Sequence, residues 1–237
     1  MPLSDATRAK LKTVSVATIC TALYKRGLRN QFIQGVTPVG DAGPMVGEAF
    51  TLRYIPARED LNPLTVFQDP KHPQRDAVER CPPGAVMVID SRKDARAASA
   101  GGILATRMMV RGCAGLVTDG GFRDSPEMAE MDFPIYHARP SAPTNLTLHQ
   151  AIDIDVPIGC GDVAVWPGDA VVGDREGVVV IPADLADEIA EEAVEMTAFE
   201  DFVLEEVQGG RSIIGLYPAT HEQTKADFEA WRAKNGR

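Results

Sequence analysis

The stretch Ala100–Asp124, AGGILATRMMVRGCAGLVTDGGFRD, constrains the fold of this chain more than any other. Two glycines precede small and apolar residues at helical spacing, Gly112 stands where such a helix stops, and a short apolar run leads into a second glycine turn. Read by period and punctuation, Ala97–Arg111 is helical, Ala114–Thr118 is a short buried strand, and Asp119-Gly120-Gly121 is the turn after it. The β-rich run Ala85–Asp90, set off by the break Pro82-Pro83-Gly84, supplies a strand before the helix. A strand–helix–strand unit of this kind calls for a sheet with a helix packed on it.

The flanks extend the pattern. Asp5–Arg26 reads as amphipathic helices, with Leu11, Val14, Ile19 and Leu23 at helical spacing and Gly27 as the stop. Val46–Tyr54 alternates like a strand, and Pro63–Arg80 is compatible with a helix. Between Gly161 and Pro182, short strands broken by W-P-G-D and D-R-E-G turns predict a hairpin-rich sheet. Asp184 is expected to cap a long terminal helix, with Leu185, Ile189, Ala193, Met196, Phe199 and Val203 on one face and acids on the other. No repeat or linker divides the chain. The expectation is therefore one α/β domain over residues 1–237, a compact layered structure with a mixed sheet. Its N- and C-terminal segments are helical, with the long C-terminal helix and a tail from about residue 184.

Charge narrows the function. Lys and Arg number 24 against 34 Asp and Glu, a net of −10, and ten of the acids lie between Asp184 and Val207 with no base among them. Without that segment the two signs are equal. An acidic chain lacking a basic stripe is a poor partner for a phosphate backbone, so direct nucleic-acid binding is not expected. The longest apolar runs, such as Gly177–Ile181, fall far short of the roughly 20 residues of a membrane span. The opening MPLSDATRAK lacks the basic-then-apolar pattern of a secretory leader, so no membrane and a cytoplasmic address are expected. Cys20, Cys81, Cys113 and Cys160 are scattered with no C-x-x-C, which argues against a disulfide scaffold or zinc ribbon.

Several chemistries are excluded by what is missing. The chain has no P-loop, no G-x-S-x-G elbow, no H-E-x-x-H and no G-x-G-x-x-G to cradle a dinucleotide or methyl-donor cofactor. No lysine lies between Asp94 and Thr224, which disfavours a Schiff base. What remains is Ala100–Asp124. Gly101 and Gly102 leave backbone N–H groups open at a helix start, where the dipole favours an anion. Arg123 brings a planar fork suited to a carboxylate, and Asp124 an oxygen ligand for a hard cation. The set suits a small 2-oxo acid. The plainer reading of the same residues is a tight βα turn with packing glycines and two surface charges.

The run G-G-I-L-A…R-G-C-A-G-L-V-T-D-G-G-F-R-D resembles the signature of the RraA-like family, which includes 4-hydroxy-4-methyl-2-oxoglutarate/4-carboxy-4-hydroxy-2-oxoadipate aldolases and the regulator of ribonuclease E activity. The similarity continues through D-F-P-I-Y, P-I-G-C-G-D-V-A-V-W-P-G-D and D-R-E-G-V-V-V-I-P, roughly Val14 to Gly210. It implies a β/β/α sandwich assembled as a homotrimer or homohexamer, with sites between subunits. The long apolar face of the terminal helix points the same way, toward a surface covered by another copy. By the resemblance, Asp124 holds Mg²⁺ or Mn²⁺ largely through waters, Arg123 binds the 2-oxo acid and steadies its enolate, and the loop Gly101, Gly102, Ile103, Leu104 holds the carboxylate through N–H groups. The resemblance also implies that a neighbouring subunit's helix acid completes the site, with Glu200 the candidate by position and Glu195 the second, although a solvated helix face is the stronger reading for both. One departure stands out. The family's aldolases carry Asp or Glu where this chain has Gly102, a group that orients metal-bound water.

The expected function is a divalent-metal-dependent lyase on 2-oxo acids, forming a pyruvate enolate by aldol cleavage or by oxaloacetate decarboxylation. The alternative is a non-catalytic regulatory protein that docks on a ribonuclease and inhibits it, with the acid-rich helix steering toward a basic partner.

Overall fold

One twelve-residue strand organises the molecule, which the computed structural model describes over residues 3–237. Helices α1 (Asp5–Leu11) and α2 (Val16–Lys25) come first, followed by strands β1 (Thr37–Pro38) and β2 (Met45–Pro56), helix α3 (Pro73–Arg80) and strands β3 (Ala85–Asp90) and β4 (Ala98–Ala100). Helix α4 (Gly102–Val110), β5 (Gly115–Thr118), β6 (Gly121–Phe122), α5 (Ser125–Ala129), β7 (Ile135–His137) and β8 (Arg139–Pro140) form the middle. Strands β9 (His149–Ile154), β10 (Ile158–Cys160), β11 (Val163–Val165), β12 (Ala170–Gly173) and β13 (Val178–Ile181) then lead into α6 (Ala186–Gln208) and α7 (Glu222–Asn235).

The main sheet runs β1-β7-β5-β3-β2-β12-β13, and β9 joins the far half of β2. The strands β7, β5, β3 and β2 are parallel, whereas β1, β12, β13 and β9 pair antiparallel, so the sheet is mixed. Alternation along its strands sends side chains to two layers. On β3, Met87 and Ile89 face α3, α4 and α5, while Val86 and Val88 face the β10–β11 hairpin. On β12 and β13, Ala170, Val172, Val179 and Ile181 meet α1, α2 and α6, while Val171, Val178 and Val180 meet the hairpin. Hairpin, sheet and helices make the β/β/α sandwich.

Several boundaries differ from the sequence reading. Pro63–Arg80 is not one helix: a 3-10 turn spans Leu64–Gln68, and α3 starts only at Pro73. Pro70 and Pro73 explain the break, because a proline disfavours helical backbone in the residue before it. The stretch Ala97–Ala100 is not helical either, since Ala98–Ala100 pairs with β6. Asp184 lies in a 3-10 turn, and the N-cap of α6 is Leu185, with no side-chain cap.

The terminal helix is also less available than its sequence suggests. Its first half packs on α1 and α2, and Phe199 and Phe202 meet Phe228 and Trp231 of α7 in edge-on and tilted ring contacts, which covers the apolar face from within the same chain. Its acids are engaged as well. Glu188 and Glu192 pair with Arg26, Glu191 with Lys10, Glu195 with Arg232, Asp201 with Arg237 and Glu206 with Arg211. Glu205 accepts a hydrogen bond from Trp231. The bases missing from the segment come from α1, α2 and the C-terminal tail.

Candidate active site

Three very short parallel strands, β4-β6-β8, form a second sheet whose carboxyl ends build a cleft. Ligands commonly settle at the carboxyl ends of parallel strands, where successive loops converge. Here Gly101 after β4 and Ile103 and Leu104 in the first turn of α4 line one side, the loop after β6 supplies Arg123 and Asp124, and the segment after β8 supplies Thr144 and Asn145. The 3-10 turn contributes Leu64 and Phe67, and the first turn of α3 contributes Gln74 and Arg75. The cleft has a volume of about 330 Å³.

Its floor is a buried polar network. The hydroxyls of Ser91, Ser99 and Thr118 lie 2.6–3.0 Å apart. Tyr54 Oη donates to the Ser99 carbonyl at 2.7 Å, and Gln74 Nε2 donates to the same oxygen at 2.7 Å and to Tyr54 Oη at 3.0 Å. Burial pushes the Tyr54 phenol well up, so it stays a donor at neutral pH. These bonds hold the start of α3 against β4, which fixes one wall relative to the other.

Asp124 is the most constrained residue of the site. Its backbone is left-handed (φ 60°, ψ 30°), a region that costs a non-glycine residue roughly 1 kcal/mol or more. It stands at the N-cap of α5, yet its side chain makes no capping bond there. Instead Oδ2 accepts from the Gly102 N–H at 3.0 Å, and Oδ1 lies 3.5 Å from Arg123 Nε. Arg123 and Asp124 are both about half exposed. At the start of α4, Leu104 N–H donates to the Gly101 carbonyl, and the Ile103 N–H has no acceptor among the described residues. A helix N-terminus, an arginine and a carboxylate thus share one wall.

The two loop glycines do different work. A Cβ at Gly101 would sit 2.7 Å from both Arg123 Cγ and Asp124 Oδ2, so only glycine lets those side chains lie over the loop. A Cβ at Gly102 would lie 3.4 Å from Asp124 Cβ, an ordinary contact, so a side chain there has room. Gly102, Ile103, Asp124 and Glu127 border the open face beside the cleft.

Among the described residues no cluster of three His, Cys, Asp or Glu could hold a metal ion. The donors present are the Asp124 carboxylate and, on the adjoining face, Glu127. That set fits Mg²⁺ or Mn²⁺, hard cations often bound by one or two carboxylates with waters and substrate filling the other positions. It does not fit zinc in a closed structural site.

The structure gathers Gly101, Gly102, Ile103, Leu104, Arg123 and Asp124 at one place. Glu200 and Glu195 lie elsewhere in the protomer, beside a separate apolar pocket between α2, α6 and α7. Glu200 accepts from Thr18 Oγ1 at 2.7 Å and Glu195 from Arg232 at 2.7 Å. Sequence reading missed Phe67, Gln74, Arg75 and Asn145, which reach the cleft from separate elements. One local signal was there to find: Arg75 puts a cation in the first turn of a helix, where the dipole disfavours it.

Comparison with known proteins gives the family. The RraA-like family, described as Aldolase/RraA, matches residues 16–180. A Halalkalibacterium halodurans protein provisionally named as a 4-hydroxy-4-methyl-2-oxoglutarate aldolase is 29% identical over 187 residues, 79% of this chain and 82% of that protein. The 4-hydroxy-4-methyl-2-oxoglutarate aldolase of Thermus thermophilus is 30% identical over 154 residues, 65% of this chain and 92% of that one. Among solved structures, Streptomyces coelicolor RraAS2, described as an unusual member of the RNase ES inhibitor RraA family, superposes with a TM-score of 0.75 at 30% identity, covering 85% of this chain and 97% of that one. The match spans the sheets, the cleft loops and the Arg123–Asp124 turn, and the chain belongs to the RraA-like family.

Proposed function

We propose that this protein is a divalent-metal-dependent lyase that converts a 2-oxo acid to pyruvate through an enolate. The observation that carries the reading is Asp124, held in strained left-handed backbone with its carboxylate turned from its own helix toward the N-terminus of α4 and Arg123. Four other described non-glycine residues share the left-handed backbone, and what sets Asp124 apart is the presentation of its carboxylate to the start of α4 and to Arg123.

The substrate carboxylate is held by the open Ile103 N–H at the positive end of α4, and the Arg123 guanidinium faces the oxygen on which charge develops. Mg²⁺ or Mn²⁺, held by Asp124, would supply Lewis acidity at the keto oxygen. Two reactions share that enolate. In oxaloacetate decarboxylation the C3–C4 bond breaks, its electron pair enters the enolate, carbon dioxide leaves, and C3 then takes a proton. Aldol cleavage also needs a base for the C4 hydroxyl. Asp124 is the only carboxylate lining the cleft among the described residues, and Gly102 adds none. The residues therefore favour decarboxylation over cleavage of 4-hydroxy-4-methyl-2-oxoglutarate.

The test is pyruvate release, coupled to lactate dehydrogenase, over a panel of 2-oxo acids with and without EDTA. Metal-dependent release from oxaloacetate above the uncatalysed rate is expected, and its absence from the whole panel sinks the reading. The likeness to RraAS2 supports a second reading, a regulator docking on a ribonuclease. The acid-rich helix that suited such docking is occupied by ion pairs within the chain.

A further inference from the structure

The pocket between α2, α6 and α7 shares no residue with the cleft. It has a volume of about 450 Å³, and its floor is aromatic. Phe199 stacks on Tyr217 with ring centres 6.3 Å apart and meets Phe228 edge-on at 5.1 Å. Tyr217 is 52% exposed, while Phe199, Phe228 and Met196 are half-buried, so each presents part of its apolar surface to the pocket. The charges around this floor are unevenly matched. At one end, Lys25 Nζ lies 2.9 Å from Glu192 Oε1 and 3.3 Å from Met196 Sδ, so an ammonium of the chain already rests against this wall. Glu195, on the rim, pairs with Arg232. Glu200 stands at the other end, half-buried. Its Oε2 accepts from Thr18 Oγ1 at 2.7 Å, and it has no cation partner among the described residues. Thr18 and Lys25 are two turns apart on α2, which sets Glu200 about 10 Å from the Lys25 end at the helical rise.

We propose that this pocket binds an organic cation, a primary ammonium carried on an apolar body. The ammonium donates to the Glu200 carboxylate, and the body covers Met196 and the three rings. The faces of those rings are the negative side of their quadrupoles, so they add to the attraction for a cation and give none to an anion. Three glutamates against one lysine line the pocket, within a molecule of net charge −10, and both oppose an anionic ligand. The volume suits a small organic molecule rather than a bare ion. Apolar burial by itself would admit a neutral molecule of the same shape. Preference for the charged one is therefore the mark of the site, because only the charged one answers Glu200.

The experiment titrates the full chain by calorimetry with 4-phenylbutylamine, which is protonated at neutral pH, and with two molecules of closely similar shape, neutral 4-phenylbutan-1-ol and anionic 4-phenylbutyrate. Wild type is expected to bind the amine about tenfold more tightly than the alcohol, and the acid more weakly than either. E200Q keeps an acceptor for Thr18 and removes only the charge. It is expected to bring the amine and the alcohol to within about twofold of each other while leaving the alcohol unchanged. Y217L is expected to weaken the amine about two- to fivefold. Thermal melting of each variant separates a local loss from a folding defect, and Y217L carries the test if E200Q does not fold. Failure of wild type to bind the amine, equal binding of amine and alcohol, or a preference unchanged in E200Q overturns the proposal. An amine bound as tightly by Y217L as by wild type overturns the aromatic floor as its seat.

Discussion

The backbone N–H of Gly102 donates to Asp124 Oδ2 at 3.0 Å, tying the first residue of α4 to the residue that caps α5, two positions after β6. The bond aims the carboxylate along the cleft wall and fixes the two βα turns relative to each other. It also specifies which substitution tests the carboxylate alone.

Asp124→Asn keeps an acceptor oxygen for Gly102 and a residue type that tolerates left-handed backbone, but loses the charge. The variant is expected to melt within a few degrees of wild type and to lose at least about a hundredfold in metal-dependent pyruvate release, a scale typical of removing one preorganised electrostatic group. Full metal-dependent turnover in this variant would show that Asp124 is not the ligand.

Gly102→Asp tests the family departure. The Cβ is accommodated, and the new carboxylate would lie beside Asp124, where it can orient water. The ratio of 4-hydroxy-4-methyl-2-oxoglutarate cleavage to oxaloacetate decarboxylation is expected to rise by the order of tenfold. Efficient aldol cleavage by wild type, unmoved by the substitution, would mean that the glycine is no deficit.

His137 predicts a pH dependence of stability. Burial against Phe122, ring centres 6.0 Å apart, pushes its imidazole down to about 4, against about 6.5 in an unfolded chain. Between these values the unfolded chain binds more protons than the folded one, so stability is full above about pH 6.5 and falls as pH drops toward 4. Chemical denaturation should show wild type losing about 2 kcal/mol more than His137→Gln between pH 7 and pH 5. Parallel losses in the two proteins would locate the sensitivity elsewhere.

The open mouth of the cleft predicts self-association. Ile103 and Leu64, 83% and 74% exposed, stand on its rim and give water a large apolar surface. We expect a trimer or hexamer by sedimentation at micromolar concentration, with Ile103→Asp shifting the population toward monomer. A single 25.5 kDa species of wild type would contradict this.

Sequence alone determined the features that rest on local periodicity and punctuation. Val86–Ile89 has to be a buried strand because its apolar side chains need two faces, and Gly112 ends α4 in left-handed backbone that only glycine adopts freely. The D-G-G-F-R-D turn and its paired glycines were legible for the same reason, since close approach and positive φ demand particular residues. Tertiary structure decided everything that depends on a distant partner. Strands β6 and β8 have two residues each, too short for any period, and the alanine-rich β4 would favour a helix but for its pairing with β6. The acids of α6 look free in sequence because their bases lie up to 181 residues away. Arg75, Asn145 and Arg123 share no spacing at all. Only the convergence of three short strands and one helix start brings them to the same cleft, because a binding site is a property of where chain ends meet rather than of any one segment.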